Sequence, residues 1–210
     1  MTDQTFISKS DRTHRAILES AYSLFSSQGY AATSMRQIAD SAKLALGSIY
    51  NHFSSKEEIF QAIISERHPF IRIIPVLKDA KGETMEEFLR NAAVSLVEEL
   101  EKHPEFINLM LIELVEFKGK HAAILFEILF PEVMTIAGRI GTFQDKLRPI
   151  PLPLLMRAFL GMFVSYFLTG LLLKDMMPAE MRENSLDLFV DIFLNGIKQS
   201  PEMTSMKPAI

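Results

Sequence analysis

The side chains that most often perform catalysis do not cluster in this sequence. The histidines form no i,i+4 pair, and the chain has no H-E-x-x-H motif, no phosphate-binding glycine loop and no G-x-S-x-G run. Cysteine is absent, which excludes disulfides and thiolate metal sites. We therefore expect no enzymatic activity, no metal and no cofactor. The five histidines are His14, His52, His68, His103 and His121.

The short run LGSIYNHF, residues 46–53, suggests recognition rather than catalysis. Ile49 and Phe53 would face inward if this run is a short helix. Short side chains at the amino-terminal end of a helix suit close approach to base edges in a DNA major groove. The exposed face would consist of Leu46, Gly47, Ser48 and Asn51, with Tyr50 and His52 at its edges.

The elements before and after this run predict a helix-turn-helix. Apolar residues at helical spacing predict a first helix over residues 11–28, ended by Gly29. Thr33 or Ser34 can cap a second short helix, and Lys43-Leu44 would form the turn to a third helix at about 45–52. Two short, tightly joined helices are typical of helix-turn-helix motifs. The pattern equally allows a small helical subdomain with a polar surface.

The charge distribution allows a nucleic-acid contact that is confined to the amino-terminal segment. The net charge of the chain is −4, but residues 1–56 carry six Lys or Arg against four acidic residues, a net +2. The remainder is therefore at −6. A mildly basic segment on an acidic chain is compatible with DNA binding by that segment alone.

Three runs closely resemble the DNA-binding region of TetR/AcrR-family transcriptional regulators: Gly29-Tyr30, Thr33 to Ala39, and Gly47 to Glu57. The resemblance implies an all-α fold with an amino-terminal three-helix DNA-binding domain and a carboxy-terminal helical domain for ligand binding and dimerisation. It implies phosphate contacts by Thr33, Ser34, Arg36, Tyr50, His52 and Lys56, and base contacts by residues 45–48 and Asn51. Gln37 belongs to the same expected DNA-binding set.

This sequence departs from the family pattern at three expected DNA-binding positions. Lys43 stands where the family often has glycine, and we expect it to supply a phosphate contact. Ala45 replaces a serine that caps the recognition helix, a loss of about 1 kcal/mol. Leu46 replaces a frequent lysine and could either pack against a thymine methyl group or weaken binding to phosphates. Base contacts therefore cannot be transferred from the family.

Beyond the motif, the pattern predicts further helices that are interrupted by prolines. We expect helices at 55–67, 84–102, 104–117, 153–174 and 180–198, and one or two helices over 120–146, with a break near Pro131 in the second case. Pro75 should interrupt the segment after Pro69. The predicted domains are residues 1–56 for DNA binding, 57–200 for ligand binding and dimerisation, and a disordered tail at 201–210.

Residues 158–173 contain no charge and could indicate a membrane span. The run is shorter than the ~20 residues that a bilayer needs, so we expect burial or an interface instead. The last two helices have surplus apolar residues, which favours a homodimer that pairs as a four-helix bundle. The expected interface residues are Gly161, Ser165, Gly170, Leu186, Phe189, Val190 and Phe193.

Many Phe and Met residues lie beyond the DNA-binding segment and could line an apolar ligand cavity, although ordinary core packing would use the same residues. Glu113, within an apolar helix, could recognise a cationic group or could be an ordinary paired carboxylate. The candidate ligand-binding residues are Phe88, Leu96, Phe106, Met110, Glu113, Phe126, Phe130 and Met134.

These observations predict a cytoplasmic DNA-binding regulator that is not associated with a membrane. The amino terminus has no apolar secretory segment. We expect a homodimeric repressor that binds a palindromic double-stranded operator and leaves it when a small apolar ligand binds. The alternative is a helical small-molecule-binding or scaffold protein whose helix-turn-helix no longer binds specific DNA.

Overall fold

The computed structural model describes residues 8–68, 70–104, 106–173, 175–178 and 184–198. These residues form helices and no strand, which confirms the predicted all-α fold. The predicted tail at 201–210 and the first predicted residues of the last helix lie outside the described part. The helices are α1 (Lys9–Gln28), α2 (Met35–Ser41), α3 (Leu46–Tyr50), α4 (Lys56–Arg67), α5 (Phe70–Asp79), α6 (Met85–Lys102), α7 (Phe106–Val115), α8 (Ala122–Gly141), α9 (Leu152–Leu173) and α10 (Ser185–Ile197), with a 3-10 turn at Gln144–Lys146.

The chain divides into two compact units by packing. Unit 1 comprises Met1–Ile71 and Pro104–Ile128, and unit 2 comprises Arg72–His103 and Leu129–Ile210. The division does not coincide with the predicted boundary between residues 56 and 57, because α4 and α7 pack with the helix-turn-helix. That boundary concerns function rather than packing, and it stays a prediction.

The helices of unit 1 begin and end where local capping allows. Ser8 caps α1, and Gly29 ends it with a φ of 86°, a conformation that glycine adopts without steric cost. Ser34 caps α2 in a reciprocal arrangement with Gln37, and the Ser55 side chain accepts the Glu58 amide at the start of α4. Of the two predicted candidates for the cap of α2, Thr33 and Ser34, the structure therefore uses Ser34.

The core of unit 1 is formed by apolar side chains of α1, α2, α3, α4 and α7. The predicted inward residues Ile49 and Phe53 are both buried in it. Burial on this scale is what stabilises helices as short as α2 and α3, which would not persist alone. The buried members are Ile17, Leu18, Ala21, Phe25, Ile38, Ala39, Ile49, Phe53, Ile59, Phe60, Ile63, Ile64, Leu109 and Ile112.

Prolines disturb the helices less than the sequence suggested. Pro75 lies inside α5, where we expected an interruption, and Pro131 lies inside α8, which is one helix rather than two. An internal proline costs about 3 kcal/mol. In α5 this cost is offset because the same helix buries Ile73, Ile74 and Leu77.

Unit 2 is a layer in which α6, α9 and α10 pack against one another. Thr84 caps α6 at the start of the predicted helix 84–102, and one face of the helix is buried, including Phe88, Leu96 and Leu100. The rings of Phe159, Phe163 and Phe193 meet at the centre, with centroids 4.8–6.1 Å apart. Apolar packing of helix faces is therefore the main source of stability in this unit.

The α9 helix is longer than the uncharged run of residues 158–173. It spans 22 residues, and the mean hydropathy of its most apolar window is 1.6, with 22% of that window buried. The uncharged run itself remains shorter than a bilayer needs, whereas the whole helix Leu152–Leu173 is long and apolar enough to cross one by length and composition alone. One such helix is weak evidence, because core and interface helices have the same composition.

Candidate nucleic-acid interface

The α2–turn–α3 segment has helix-turn-helix geometry. The Leu44 amide donates to the Ala39 carbonyl at 2.9 Å, and Lys43 adopts a left-handed φ of 57°. Glycine adopts this conformation without steric cost, whereas a lysine there is strained. The α3 helix is shorter than predicted. It begins at Leu46 and ends at Tyr50, and Ala45 provides no side-chain cap.

Most of the predicted DNA-binding side chains are accessible on this segment. Arg36 and Lys43 supply positive charge near α3. Leu46 is 38% exposed and Tyr50 is 53% exposed, so both side chains could meet a groove. His52 is half-buried. The remaining members of the predicted set on this segment are Ser34, Gln37, Ala45, Gly47, Ser48 and Asn51.

The side chains of Ser34 and Gln37 cap α2 and are also exposed on its surface. The Ser34 hydroxyl accepts the Gln37 amide at 3.2 Å and donates to the Gln37 side-chain oxygen at 2.9 Å. The same oxygen accepts the Ser34 amide at 2.8 Å. Both side chains remain exposed, so a phosphate contact by Ser34 and a DNA contact by Gln37 stay predictions.

The Thr33 side chain does not fit the predicted phosphate contact. It is 2% exposed, its hydroxyl donates to the Gly29 carbonyl at 2.8 Å, and it accepts from the Gln28 amide group at 3.1 Å. The hydroxyl therefore holds the α1–α2 turn together. A threonine hydroxyl has one proton to donate, and here that proton is already used.

Lys56 also differs from its predicted role. Its Nζ donates to the Tyr30 carbonyl at 2.6 Å and to the Thr33 carbonyl at 2.7 Å, and it lies 4.1 Å from the centroid of the Tyr30 ring. Burial lowers the pKa of Lys56, and nearby Glu116 partly opposes this shift. Two of the three ammonium protons point into the protein, so an outward phosphate contact is not its main interaction.

The half-buried His52 lies in a small aromatic group that reaches back to α1. The His14 ring lies 6.4 Å from the His52 ring and 5.0 Å from the Phe53 ring. His14 Nε2 is 2.9 Å from a carboxylate oxygen of Glu66, near the end of α4. The edge of α3 is therefore connected by side chains to both α1 and α4.

A second cluster near the start of α4 was not predicted from the sequence. The Phe117 ring stacks on Phe60 at 4.7 Å and meets Tyr30 at 4.9 Å. His121 is 2% exposed, and its Nδ1 is 2.8 Å from Glu113. In the sequence, only Tyr30 after Gly29 pointed to this cluster. Its other members are too far apart along the chain to form a spacing pattern.

Lys120 connects the same cluster to α4. It donates to Glu57, and this hydrogen bond lowers the pKa of that carboxyl group.

Among the described residues, no group of three or more side chains could hold a metal ion.

Comparisons with known proteins place this geometry in a family. The sequence model of bacterial regulatory proteins of the tetR family matches residues 17–63, which include α2, the turn and α3. The helix-turn-helix region of this chain is therefore that of the TetR family. The predicted resemblance and the predicted DNA-binding regulator are both confirmed.

Relatives support this assignment to different extents along the chain. The chain is 24% identical to YvkB, an uncharacterized HTH-type transcriptional regulator of Bacillus subtilis, over 85% of this chain and 95% of the relative. It spans only 34% of another B. subtilis regulator, YuxN, at 31% identity over 101 residues. Over 50 residues it is 40% identical to the HTH-type transcriptional repressor KstR2 of Mycolicibacterium smegmatis, 24% of each chain.

Solved structures share the fold over most of the chain. A TetR family transcription regulator from Marinobacter aquaeolei VT8 has a TM-score of 0.64 at 18% identity, covering 90% of this chain and 97% of that one. NalD of Pseudomonas aeruginosa, the secondary repressor of the MexAB-OprM multidrug efflux pump, has a TM-score of 0.63 at 19% identity, covering 91% and 100%. Identities this low establish the TetR fold alone.

The predicted dimer residues of this chain fall into three groups. Gly161, Ser165 and Gly170 are exposed on α9, and Leu186 and Phe189 lie on α10 without being buried. Val190 is 1% exposed and Phe193 is 5% exposed, so both belong to the core of unit 2 and their assignment to an interface was wrong. The outward apolar residues of α10 are instead Leu188 and Ile192, each 61% exposed.

The predicted ligand-binding residues are divided between the two units. Phe106, Met110, Glu113 and Phe126 belong to unit 1, and Phe88, Leu96, Phe130 and Met134 to unit 2. Glu113 accepts from the His121 amide at 2.7 Å and from its ring, as an ordinary paired carboxylate would. Met110, Phe126, Phe130 and Met134 are exposed, and the Phe106 side chain lies outside the described part.

Unit 2 contains a small apolar cavity that includes one predicted ligand residue, Phe88. Its volume is about 30 Å³, which suits one water molecule rather than a ligand. The guanidinium of Arg139 lies 4.3 Å from the Phe88 ring. The lining residues are Leu77, Phe88, Leu89, Ala92, Ile136, Ile140, Leu155, Met156, Phe159, Leu160 and Phe193.

Proposed function

We propose that this TetR-family regulator is a repressor that binds an operator through the exposed side of α2 and α3. The observation that carries the proposal is the composition of that side, where short or polar residues at Gly47, Ser48 and Asn51 accompany cations at Arg36 and Lys43. Short side chains allow the helix to approach base edges, and cations attract the phosphate backbone. The names of KstR2 and NalD as repressors support repression over activation.

The proposed roles differ between the centre and the edges of the segment. Ser48 and Asn51 would donate to or accept from base edges, and Leu46 would contact a thymine methyl group. Phosphates would be contacted by the side chains of Ser34, Arg36, Gln37, Lys43 and Tyr50 and by the half-buried His52.

We propose that the protein acts as a homodimer through the outward faces of α9 and α10. On α9, the small residues Gly161, Ser165 and Thr169 follow one exposed stripe, and on α10 Leu188 and Ile192 are both exposed. Small residues allow helices to approach closely, and the apolar residues would be removed from water. A two-fold dimer suits a palindromic operator.

We propose further that a small, largely apolar ligand releases the operator by entering the cavity in unit 2. The support is its lining, which consists entirely of aliphatic and aromatic side chains apart from the Met156 thioether. A ligand would have to enlarge the cavity, because drug-sized sites are about 300–1,000 Å³. Ligand and DNA would then oppose each other by the same free energy, typically about 1–3 kcal/mol. The protein would act in the cytoplasm, where its operator is accessible.

The DNA-binding proposal is tested by selecting duplexes from a randomised library with the unmodified protein. We expect enrichment of a two-fold symmetric sequence. Ser48→Ala and Asn51→Ala should then change which bases are selected, whereas Arg36→Ala should weaken binding to every sequence. Failure to enrich any sequence would contradict the proposal.

The second candidate is a helical small-molecule-binding protein whose motif no longer binds specific DNA. It is favoured by two observations on the motif: Ala45 leaves α3 without a side-chain cap, and Leu46 exposes an apolar side chain. Binding of equal strength to selected and shuffled duplexes would favour this candidate.

A further inference from the structure

Lys56 occupies an unusual position relative to the helix-turn-helix. It is the first residue of α4, and its Nζ donates to carbonyl oxygens that lie 26 and 23 residues earlier in the chain, at Tyr30 and Thr33. Thr33 immediately precedes Ser34, the cap of α2. The Lys56 side chain therefore closes a loop that contains all of α2, the turn and α3.

The interaction is strong by the usual geometric standards. Its two donor–acceptor distances are 2.6 and 2.7 Å, and the ammonium also lies over the Tyr30 ring. Hydrogen bonds from a charged donor are shorter and stronger than neutral ones, and an ammonium over an aromatic face gains a further attraction. Few other side chains could make all three interactions at once.

Within this loop, the α3 helix has little local means of fixing its own position. The α3 helix has five residues and no side-chain cap, and the turn before it requires Lys43 to adopt a left-handed conformation. The backbone of Thr33, at the other end, is held by its own buried hydroxyl. The placement of α3 therefore depends on interactions made from outside the segment.

We propose that Lys56 is a positioning residue for DNA recognition, which fixes α2 and α3 through the Tyr30 and Thr33 carbonyls. This inference rests on the proposed DNA-binding function. It differs from a phosphate-binding role in what the removal of the side chain should do. A variant without a phosphate ligand binds all DNA more weakly, whereas a variant without a positioning residue binds more weakly only where α3 must be correctly placed.

The first arm of the test compares Lys56→Met with the matched control Arg36→Met. Each variant is titrated against the selected operator duplex and a shuffled duplex of the same length, over a series of salt concentrations. For Lys56→Met we expect a roughly 10- to 100-fold decrease in affinity for the operator. Affinity for the shuffled duplex should change less than about twofold, with an unchanged salt slope. For Arg36→Met we expect weaker binding to both duplexes and a salt slope smaller by about 0.9 for each phosphate that is no longer neutralised.

The second arm measures hydrogen exchange in the free protein, so it does not depend on finding an operator. In Lys56→Met the amides of residues 34–53 should exchange faster, whereas those of α6 should be unchanged. If the unmodified protein selects no sequence, the proposed function fails, and this arm still decides the role of Lys56. Unchanged exchange in residues 34–53 would overturn the positioning role.

A conservative variant guards against misfolding of Lys56→Met. Arginine binds phosphates well, but its planar guanidinium is larger than an ammonium and differs in donor geometry. In Lys56→Arg we therefore expect weaker binding to the operator with an unchanged salt slope. Full affinity in Lys56→Arg, or an equal decrease on both duplexes with a reduced slope in Lys56→Met, would identify Lys56 as a phosphate ligand and overturn the inference.

Discussion

The helix-turn-helix segment and the α6–α9–α10 layer are stabilised in different ways. In the segment, single polar interactions such as those of Lys56 and Thr33 fix the backbone at particular carbonyls. In the layer, interlocking apolar faces fix the helices, and Phe159, Phe163 and Phe193 are buried together. Directional interactions require particular residues at particular positions, whereas apolar packing accepts many combinations of similar volume. This difference explains why the segment has a recognisable motif and the layer has only periodicity.

The largest expected effect is the introduction of a charge into the apolar layer. Val190 is 1% exposed, so Val190→Asp would bury a carboxylate without a partner. We expect a decrease of at least about 3 kcal/mol in the free energy of unfolding of unit 2, measured by thermal and urea denaturation.

Ile192→Asp is the matched control on the outward side of α10, where the side chain is 61% exposed. We expect this variant to fold normally but to sediment as a monomer if the outward face forms the proposed dimer. A monomeric unmodified protein would contradict the dimer, and a stable Val190→Asp protein would contradict the contrast between the two faces.

The buried side chain of His68 should make the free energy of unfolding depend on pH. It is 4% exposed, and burial lowers its pKa to about 4 from an ordinary value near 6.5. The unfolded chain therefore binds a proton more readily between pH 6.5 and 4, so stability is full above pH 6.5 and falls as the pH drops towards 4. The expected decrease in the free energy of unfolding at pH 4 is about 3 kcal/mol.

The comparison for His68 is His68→Asn, which keeps an acceptor for the Phe70 amide. In this variant the acid-dependent decrease should disappear, whatever the change in stability at neutral pH. Denaturation at a series of pH values measures both. The same acid-dependent decrease in both proteins would assign the acid sensitivity to other groups.

The smallest expected effect concerns the helix that lacks a cap. Ala45→Ser should add a hydroxyl that accepts an amide in the first turn of α3, stabilising unit 1 by about 1 kcal/mol. Thermal denaturation and hydrogen exchange at residues 46–50 would measure the change. Lack of any gain would mean that the packing of Ile49 and Phe53, rather than capping, determines the stability of α3.

Periodicity and capping predicted most of the fold because both act over a few residues. Gly29, Ser34, Ser55 and Thr84 mark helix boundaries that agree with the structure. Pro75 misled because a local penalty was outweighed by burial elsewhere on α5.

The candidate site was predicted unevenly for a related reason. The exposure of residues such as Arg36 and Asn51 could be predicted from their positions in the helical pattern. The inward roles of Thr33 and Lys56 depend on partners that no local pattern reveals. For the dimer, an apolar residue such as Val190 has the same hydropathy in a core as in an interface, so the sequence alone could not separate them.

The length of α3 limits the number of base pairs that this helix can contact in one major groove. Five residues at about 1.5 Å each make a rod of about 7.5 Å, which is roughly two base-pair steps of about 3.4 Å. Two or three fully specified pairs per helix, doubled by a second copy, distinguish roughly 250 to 4,000 sequences, against at least ~10⁶ competing sites in a genome. Base contacts by α3 alone are therefore too few to specify one site in a genome. If the protein reads its operator as proposed, the shortfall would be supplied by residues outside α3, such as Asn51 and those of α2, and by the deformability of the DNA itself.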